Sequence, residues 1–147
     1  MTEPQRYFDE VDLGDEYSEE MTPTADLVRD FLALNPARGG PGDGRFTSDE
    51  GARSIGMQAK IVPGMMSLSI ISRLVQDWMG AEGTLPSLDV SSRRPVLQND
   101  ALKLQALVTD ADETPEGPRV KLDVYMENAR GERPLQGTAV VELPRKG

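Results

Sequence analysis

Ile61-Val62-Pro63-Gly64-Met65-Met66-Ser67-Leu68-Ser69-Ile70-Ile71-Ser72-Arg73-Leu74-Val75-Gln76-Asp77-Trp78-Met79 is the stretch that decides the fold. Met66, Ile70, Leu74 and Trp78 recur at helical spacing, and Ile71, Val75 and Met79 widen the apolar stripe. Val62-Pro63-Gly64 leads into the helix, and glycine there permits a close approach to bare backbone. Ser67, Ser69, Ser72, Arg73, Gln76 and Asp77 interrupt the apolar run, so it is an amphipathic or buried helix and not a membrane span. An apolar face this wide predicts a helix wrapped by sheet on most sides.

Beyond the helix the period changes from 3.6 to two. After Gly80 to Pro86, Leu88 and Val90 start a strand that runs to Arg94-Pro95-Val96. Leu102, Leu104, Ala106 and Val108 alternate with polar neighbours apart from Leu107. Asp110 to Pro118 reads as an acidic loop holding Pro115 and Gly117. Val120, Leu122, Val124 and Met126 then alternate cleanly with Lys121, Asp123, Tyr125 and Glu127. Asn128-Ala129-Arg130-Gly131 makes a hairpin turn, and Leu135, Ala139, Val141 and Leu143 face inward from the last strand.

Ahead of the helix, Asp12-Leu13-Gly14-Asp15-Glu16 reads as a turn entering a short strand, Glu16 to Met21. Residues 1–22 are thus an acidic arm and first strand. Thr24 is a helix N-cap with Asp26 in the first turn; Leu27, Phe31 and Leu34 share a face, and Asn35-Pro36 ends the helix. A glycine-rich loop occupies residues 37–46. A short helix follows around Asp49 to Ile55, stopped by Gly56. One long buried helix followed by an antiparallel meander is most economically a curled sheet around the helix, an α+β roll in a single domain, 1–147.

Composition narrows the function classes. The 147 residues carry a formal net charge of -9. That argues against a duplex nucleic-acid binder and against a peripheral protein held on anionic lipid. A polyanionic ligand such as coenzyme A therefore needs a locally positive entrance made by arginines. Cysteine and histidine are both absent, which removes disulfides, thiolate and zinc sites, a cysteine nucleophile and an imidazole base. Met1 to Glu10 has no apolar core of a signal peptide, so a cytoplasmic protein is expected.

Four segments, in order, resemble the MaoC-like hydratases, a hot-dog family. Tyr7-Phe8-Asp9-Glu10-Val11-Asp12-Leu13-Gly14-Asp15 is similar to their opening strand and turn, and Ile61 to Ser69 to the start of their central helix. Arg93-Arg94-Pro95-Val96 followed by Asn99-Asp100-Ala101-Leu102 is similar to their approach to a long strand. Asn128 to Glu132, then Gly137-Thr138-Ala139-Val140-Val141, resembles their closing hairpin. The resemblance implies a hot-dog fold, usually dimeric, that binds acyl-CoA or acyl-carrier thioesters near its interface. The family's reaction adds water to a trans-2-enoyl thioester to give the (R)-3-hydroxyacyl product. No cofactor is implied beyond the coenzyme A or carrier of the substrate.

The resemblance breaks at the catalytic pair, an aspartate and a histidine in the pattern Asp-x-Asn-Pro-x-His. This chain has Ala33-Leu34-Asn35-Pro36-Ala37-Arg38, with Ala33 in the aspartate's place and Arg38 in the histidine's. Realigning the loop puts Phe46 in the histidine's place instead.

Hydration needs a base, an acid and a donor to the enolate oxygen. The Gly64 amide at the helix N-terminus can be that donor, although Pro63-Gly64 can also simply start a helix. Asp43 and Asp49 are the carboxylates placed to substitute as base; their plainer readings are a solvated turn residue and a helix N-cap. Arg38 serves as a polarising donor or as a surface arginine. It stays protonated and is never a base. Asn35, Val62, Pro63, Met65 and Met66 would surround the substrate, and Met57, Met65, Met66 and Met79 either line an acyl tunnel or pack in the core. Arg93 or Arg94 would meet a coenzyme A phosphate, one of them at most, the other pairing with the acidic surface.

Three functions fit: a MaoC-like hydratase or dehydratase with a substitute base, the dyad-lacking subunit of a heteromeric hydratase acting on fatty acyl or steroid side-chain thioesters, or a hot-dog thioesterase or acyl-thioester binder. The partners implied are an acyl thioester and a second subunit, identical or dyad-bearing.

Overall fold

The structure, a computed structural model, describes residues 4–34 and 44–147. Asn35, Arg38 and Asp43 lie outside the described residues. A short 3-10 turn, Phe8–Glu10, precedes β1 (Glu16–Met21), α1 (Ala25–Ala33), α2 (Gly44–Thr47) and α3 (Asp49–Arg53). The central helix α4 (Gly64–Met79) leads into β2 (Thr84–Ser92), β3 (Leu102–Thr114), β4 (Gly117–Glu127) and β5 (Leu135–Glu142). The five strands form one antiparallel sheet in the order β1-β3-β4-β5-β2, with β1 and β2 at its edges. The segment expected to open on a strand at Tyr7 opens on the 3-10 turn instead.

The inner face of the sheet carries Leu104, Ala106, Val108, Val120, Leu122, Val124, Met126, Ala139 and Val141, all buried, as the period of two dictates. Against them α4 buries Met66, Ser67, Ile71, Leu74, Val75 and Trp78. The helix is not wrapped on most sides, however. Met65 and Leu68 are 59% and 37% exposed, and Ser69, Arg73 and Gln76 share that open face. A five-stranded sheet curls far enough to cover one side of a helix only, so the stripe's breadth over-predicted the covering.

Three further expectations are corrected. The acidic stretch from Asp110 is strand: β3 runs to Thr114 and a two-residue turn, Pro115-Glu116, leads straight into β4. A bulge between Val108 and Asp110 breaks the alternation there, and the cross-strand pairs Asp110↔Lys121 and Asp112↔Arg119 place opposite charges side by side. β2 starts at Thr84 and stops at Ser92, short of Arg94; Pro86 fits because it sits at a register shift on an edge strand. On α1 the buried face is Val28 with Phe31 and Leu32 beside it, while Leu27 and Leu34 are 43% and 81% exposed.

Both ends of α4 are fixed by distant chain. At its C-terminus the orphan carbonyls of Trp78 and Met79 accept from Arg6 (2.8 Å) and Gln5 Nε2 (2.7 Å). Arg6 also lies over the rings of Tyr17 and Trp78, 5.1 and 5.4 Å from their centroids. Among the described residues no helix is long and apolar enough to cross a membrane.

Candidate functional site

The N-terminus of α4 is held by a short ladder between residues 60–62 and 96–98. Val62 N donates to the Val96 carbonyl (2.7 Å), Gln98 N donates to Lys60 (3.1 Å), and Ile61 bridges Leu97. Gln98, 8% exposed, ties in the α2 segment as well: its Nε2 donates to the carbonyls of Ile61 and Phe46, both at 2.8 Å. Pro63 then takes the N-cap position, where it offers no side-chain acceptor. The first capped contact inside the helix is Ser67 N to the Pro63 carbonyl (3.1 Å), so the amides of Gly64, Met65 and Met66 have no partner among the described residues. By contrast Thr24 caps α1 and Ser48 caps α3 with their hydroxyls. An open helix start concentrates unsatisfied N–H groups and the positive end of the helix dipole.

Of these residues Gly64 lines a cavity of about 310 Å³. Gly64, Ser67, Ile61 and Val62 line one side, and the segment from Ser92 to Val96, with Leu135, lines the other. Arg94 does not contribute a free charge there, because it is paired with Glu132. Glu132 is a hub: it also accepts from Asn128 Nδ2 (3.0 Å) and Arg130 Nε (3.1 Å), and Arg130 reaches Asp100 at 2.9 Å. The Asn128 amide first, then Arg130, hold the Glu132 carboxyl below its ordinary range. Arg93 is exposed and makes no ion pair among the described residues; its own N–H donates to the Pro134 carbonyl (2.7 Å), which fixes its place at the rim. Arg93 thus lines the same cavity as Gly64 without an ion pair among the described residues. A larger concavity, about 640 Å³, lies on the other face of the sheet and also touches Arg93. Carboxylates from Glu16, Asp89 and Asp123 line it, which suits a polyanion poorly.

The remaining expected residues fall in different places. Pro63 is buried between Val62 and Gly64. Met66 packs in the core, Met65 is exposed, and neither lines the cavity. Asp49 is exposed, and its Oδ1 accepts from Lys60 N (3.0 Å). It is not the N-cap of α3, because the extended backbone of Ser48 (φ -151°, ψ 150°) and its hydroxyl hold that position. Phe46 is partly buried against the core. Sequence reasoning missed Ser67, which is 2% exposed and stands in the cavity wall. The signal was available: Ser67, Ile71, Leu74 and Trp78 share one helical face, so its hydroxyl had to point inward.

Acid–base chemistry is sparse near this cavity. Among the described residues the carboxyl raised from its ordinary value is Glu19, by burial above all, with Asp77 adding to the effect. Asp77 lies thirteen residues beyond Gly64 on α4, roughly 20 Å along the axis at 1.5 Å per residue. That pair serves the far end of the helix, not the cavity. Among the described residues no cluster of carboxylates is arranged to hold a metal ion.

No family model matches the sequence, and no curated protein matches it. Solved structures do. The (R)-hydratase from A. caviae involved in PHA biosynthesis superposes with a TM-score of 0.77 at 23% identity, covering 92% of this chain and 98% of that one. The MaoC-like dehydratase from Rhodospirillum rubrum gives 0.71 at 18% identity, covering 97% and 99%. The ChsH1-ChsH2 complex from Mycobacterium tuberculosis gives 0.75 at 14% identity, covering 89% and 97%. Likeness at these identities shows the fold: the chain is an α+β hot-dog domain of the kind found in (R)-hydratases and MaoC-like dehydratases. A shared fold does not carry a shared reaction.

Proposed function

We propose that this hot-dog domain is a MaoC-like protein that binds acyl-CoA or acyl-carrier thioesters at the N-terminus of α4, and that it is the dyad-lacking subunit of a heteromeric enoyl-thioester hydratase or dehydratase. The observation that carries this reading is the uncapped start of α4, which opens beside the unpaired Arg93 onto a cavity walled largely by Ile61, Val62, Val96 and Leu135. A thioester carbonyl seated there would accept from the Gly64 amide along the helix dipole, and negative charge developing on its oxygen would be stabilised. Arg93 would meet a phosphate of the carrier, giving the local positive charge that an acidic protein needs for such a ligand.

Among the described residues, the chain's own groups do not complete the reaction. There is no imidazole, Ala33 stands at the exposed end of α1, and Asp49 is engaged by the Lys60 amide. An aspartate and a histidine from a second subunit would supply the base and the acid. β2 is an edge strand whose outer side pairs with no strand among the described residues, a place where a second hot-dog chain could continue the sheet. The likeness to a two-component complex of the same fold supports that arrangement. The substrates would be water-soluble carrier thioesters of the cytoplasm.

The test is to incubate the purified chain with crotonyl-CoA and a bulkier enoyl-CoA, following binding calorimetrically and hydration by loss of the conjugated enoyl absorbance. Binding without hydration is expected. Hydration by the isolated chain would overturn the dyad-lacking role, free thiol release would make it a thioesterase, and absence of binding would remove the thioester reading altogether.

A further inference from the structure

Ser67 is the polar side chain on the side of the cavity formed by Ile61, Val62 and Gly64. It is 2% exposed, it lines the same cavity as Gly64, and its hydroxyl makes no hydrogen bond among the described residues. Helical serines usually satisfy themselves on the carbonyl four residues back. Ser69 does so on Met65 (2.9 Å), and Ser72 accepts from Gln76 (2.8 Å). The carbonyl available to Ser67 is that of Pro63, which takes only its amide. The hydroxyl is therefore left for whatever fills the cavity, among Ile61, Val62, Val96 and Leu135.

Position defines what it can reach. Ser67 follows Gly64 by three residues, about 4.5 Å along the helix axis, and helical side chains lean back toward the N-terminus. Ser67 thus stands about one turn into the helix from the uncapped Gly64 amide. A thioester carbonyl on the Gly64 amide would send its acyl chain past Ser67, and two or three carbon–carbon bonds of about 1.5 Å span the interval.

We propose that Ser67 is a specificity-determining residue that selects acyl chains bearing an oxygen two or three carbons from the thioester over plain hydrocarbon chains. This rests on the thioester reading of the same cavity. A hydroxyl both donates and accepts, so it matches an alcohol or a ketone equally well. A hydrocarbon chain at the same place displaces water from Ser67 and returns no hydrogen bond, whereas an oxygenated chain replaces the bond it removes.

The experiment compares 3-hydroxybutyryl-CoA with butyryl-CoA by calorimetry on the whole chain, as wild type, Ser67→Ala and Ser67→Thr. Wild type is expected to bind the hydroxyacyl ligand about tenfold more tightly, the difference one hydrogen bond supplies. Ser67→Ala is expected to lose that preference while binding butyryl-CoA no less tightly, and Ser67→Thr to keep it. Equal affinity of the wild type for both ligands, or a preference that survives in Ser67→Ala, overturns the role of Ser67 and leaves the thioester reading standing. Failure of the wild type to bind either ligand overturns the thioester reading and this inference with it.

Discussion

Gln5 clamps Met79: its Nε2 donates to the Met79 carbonyl at 2.7 Å, while its Oε1 accepts from Glu82 N at 2.9 Å. One side chain of the N-terminal arm thereby closes the C-terminus of the central helix and fixes the turn into β2. Arg6 adds a bond to the Trp78 carbonyl and lies over the Trp78 ring. An arm that reads as polar and acidic thus satisfies the last carbonyls of the core helix beside its C-cap, Gly80.

Gln5→Ala is expected to lower stability by about 1 kcal/mol and Arg6→Ala by about 1–2 kcal/mol, since the latter also loses stacking on Trp78 and Tyr17. At this chain length that is a fall in Tm of about 2–4 °C per kcal/mol. Thermal melts of both variants check it; an unchanged Tm for Gln5→Ala would mean that the arm does not cap the helix in solution.

Glu19 gives a pH-dependent test. Tyr17 donates to its Oε2 at 2.6 Å, yet burial and the neighbouring Asp77 raise its carboxyl above the ordinary range. A carboxyl raised in the folded state binds its proton more tightly there, so its ionised form opposes folding. The cost is absent below the unfolded value of about 4.3 and grows as pH rises through the raised folded value. Glu19→Gln keeps an acceptor for Tyr17 and removes the charge. It is expected to stabilise the protein at pH 7 and to leave it unchanged at pH 4 or below, as measured by chemical denaturation. Equal effects at both pH values would show that charge is not the cause.

Glu132 has the opposite sign. Its carboxyl is held below the ordinary range by Asn128 and Arg130, so it stabilises the fold above its unfolded value and loses that contribution as pH falls through the lowered one. Glu132→Gln is expected to destabilise at pH 7, with the difference from wild type shrinking on acidification. A difference that stays constant with pH would assign the effect to packing alone.

Gly137 is required by the approach of two strands. A Cβ there would lie 2.0 Å from the Asp89 carbonyl oxygen and 2.7 Å from Val90 Cα, both backbone atoms that cannot step aside. Gly137→Ala is expected to cost about 1–3 kcal/mol by forcing β2 from β5. Hydrogen exchange of β2 amides reads this directly: their protection should fall before that of β3 and β4.

Arg93 separates binding from stability. It is exposed and unpaired among the described residues, so Arg93→Ala should change stability by no more than about 0.5 kcal/mol. The same change should weaken acyl-CoA binding about tenfold and flatten its dependence on salt. Arg94→Ala should do the reverse, loosening the Glu132 hub with a smaller effect on the ligand. If the two variants weaken binding equally, the rim arginine is not the phosphate contact.

Periodicity carried the fold a long way. The stripe through Ile71, Leu74 and Trp78, the clean alternation of Val120 to Met126 and the Thr24 cap are local properties, and each appears in the structure where the spacing puts it. Misreadings fell where tertiary contact overrides local pattern. The bulge at Val108 to Asp110 hid the outer half of β3, and α1 docks on Val28 with Phe31 and Leu32 instead of on Leu27 and Leu34. At the candidate site, Gly64 and the arginine pair stood out in the sequence, but which arginine is neutralised depends on Glu132, far along the chain.

By itself the sequence determined the α+β class, the central helix, the order of its strands along the chain and the want of any imidazole or thiol for catalysis, because these follow from spacing and composition. Only the tertiary structure decided that α4 starts without a cap, that Arg94 is spent on Glu132 while Arg93 is not, and that the Ser67 hydroxyl opens onto the cavity. Those are relations between residues brought together by β2, β5 and the ladder at residues 96–98. A hydrogen bond or an ion pair depends on distance in space, and linear spacing does not contain it.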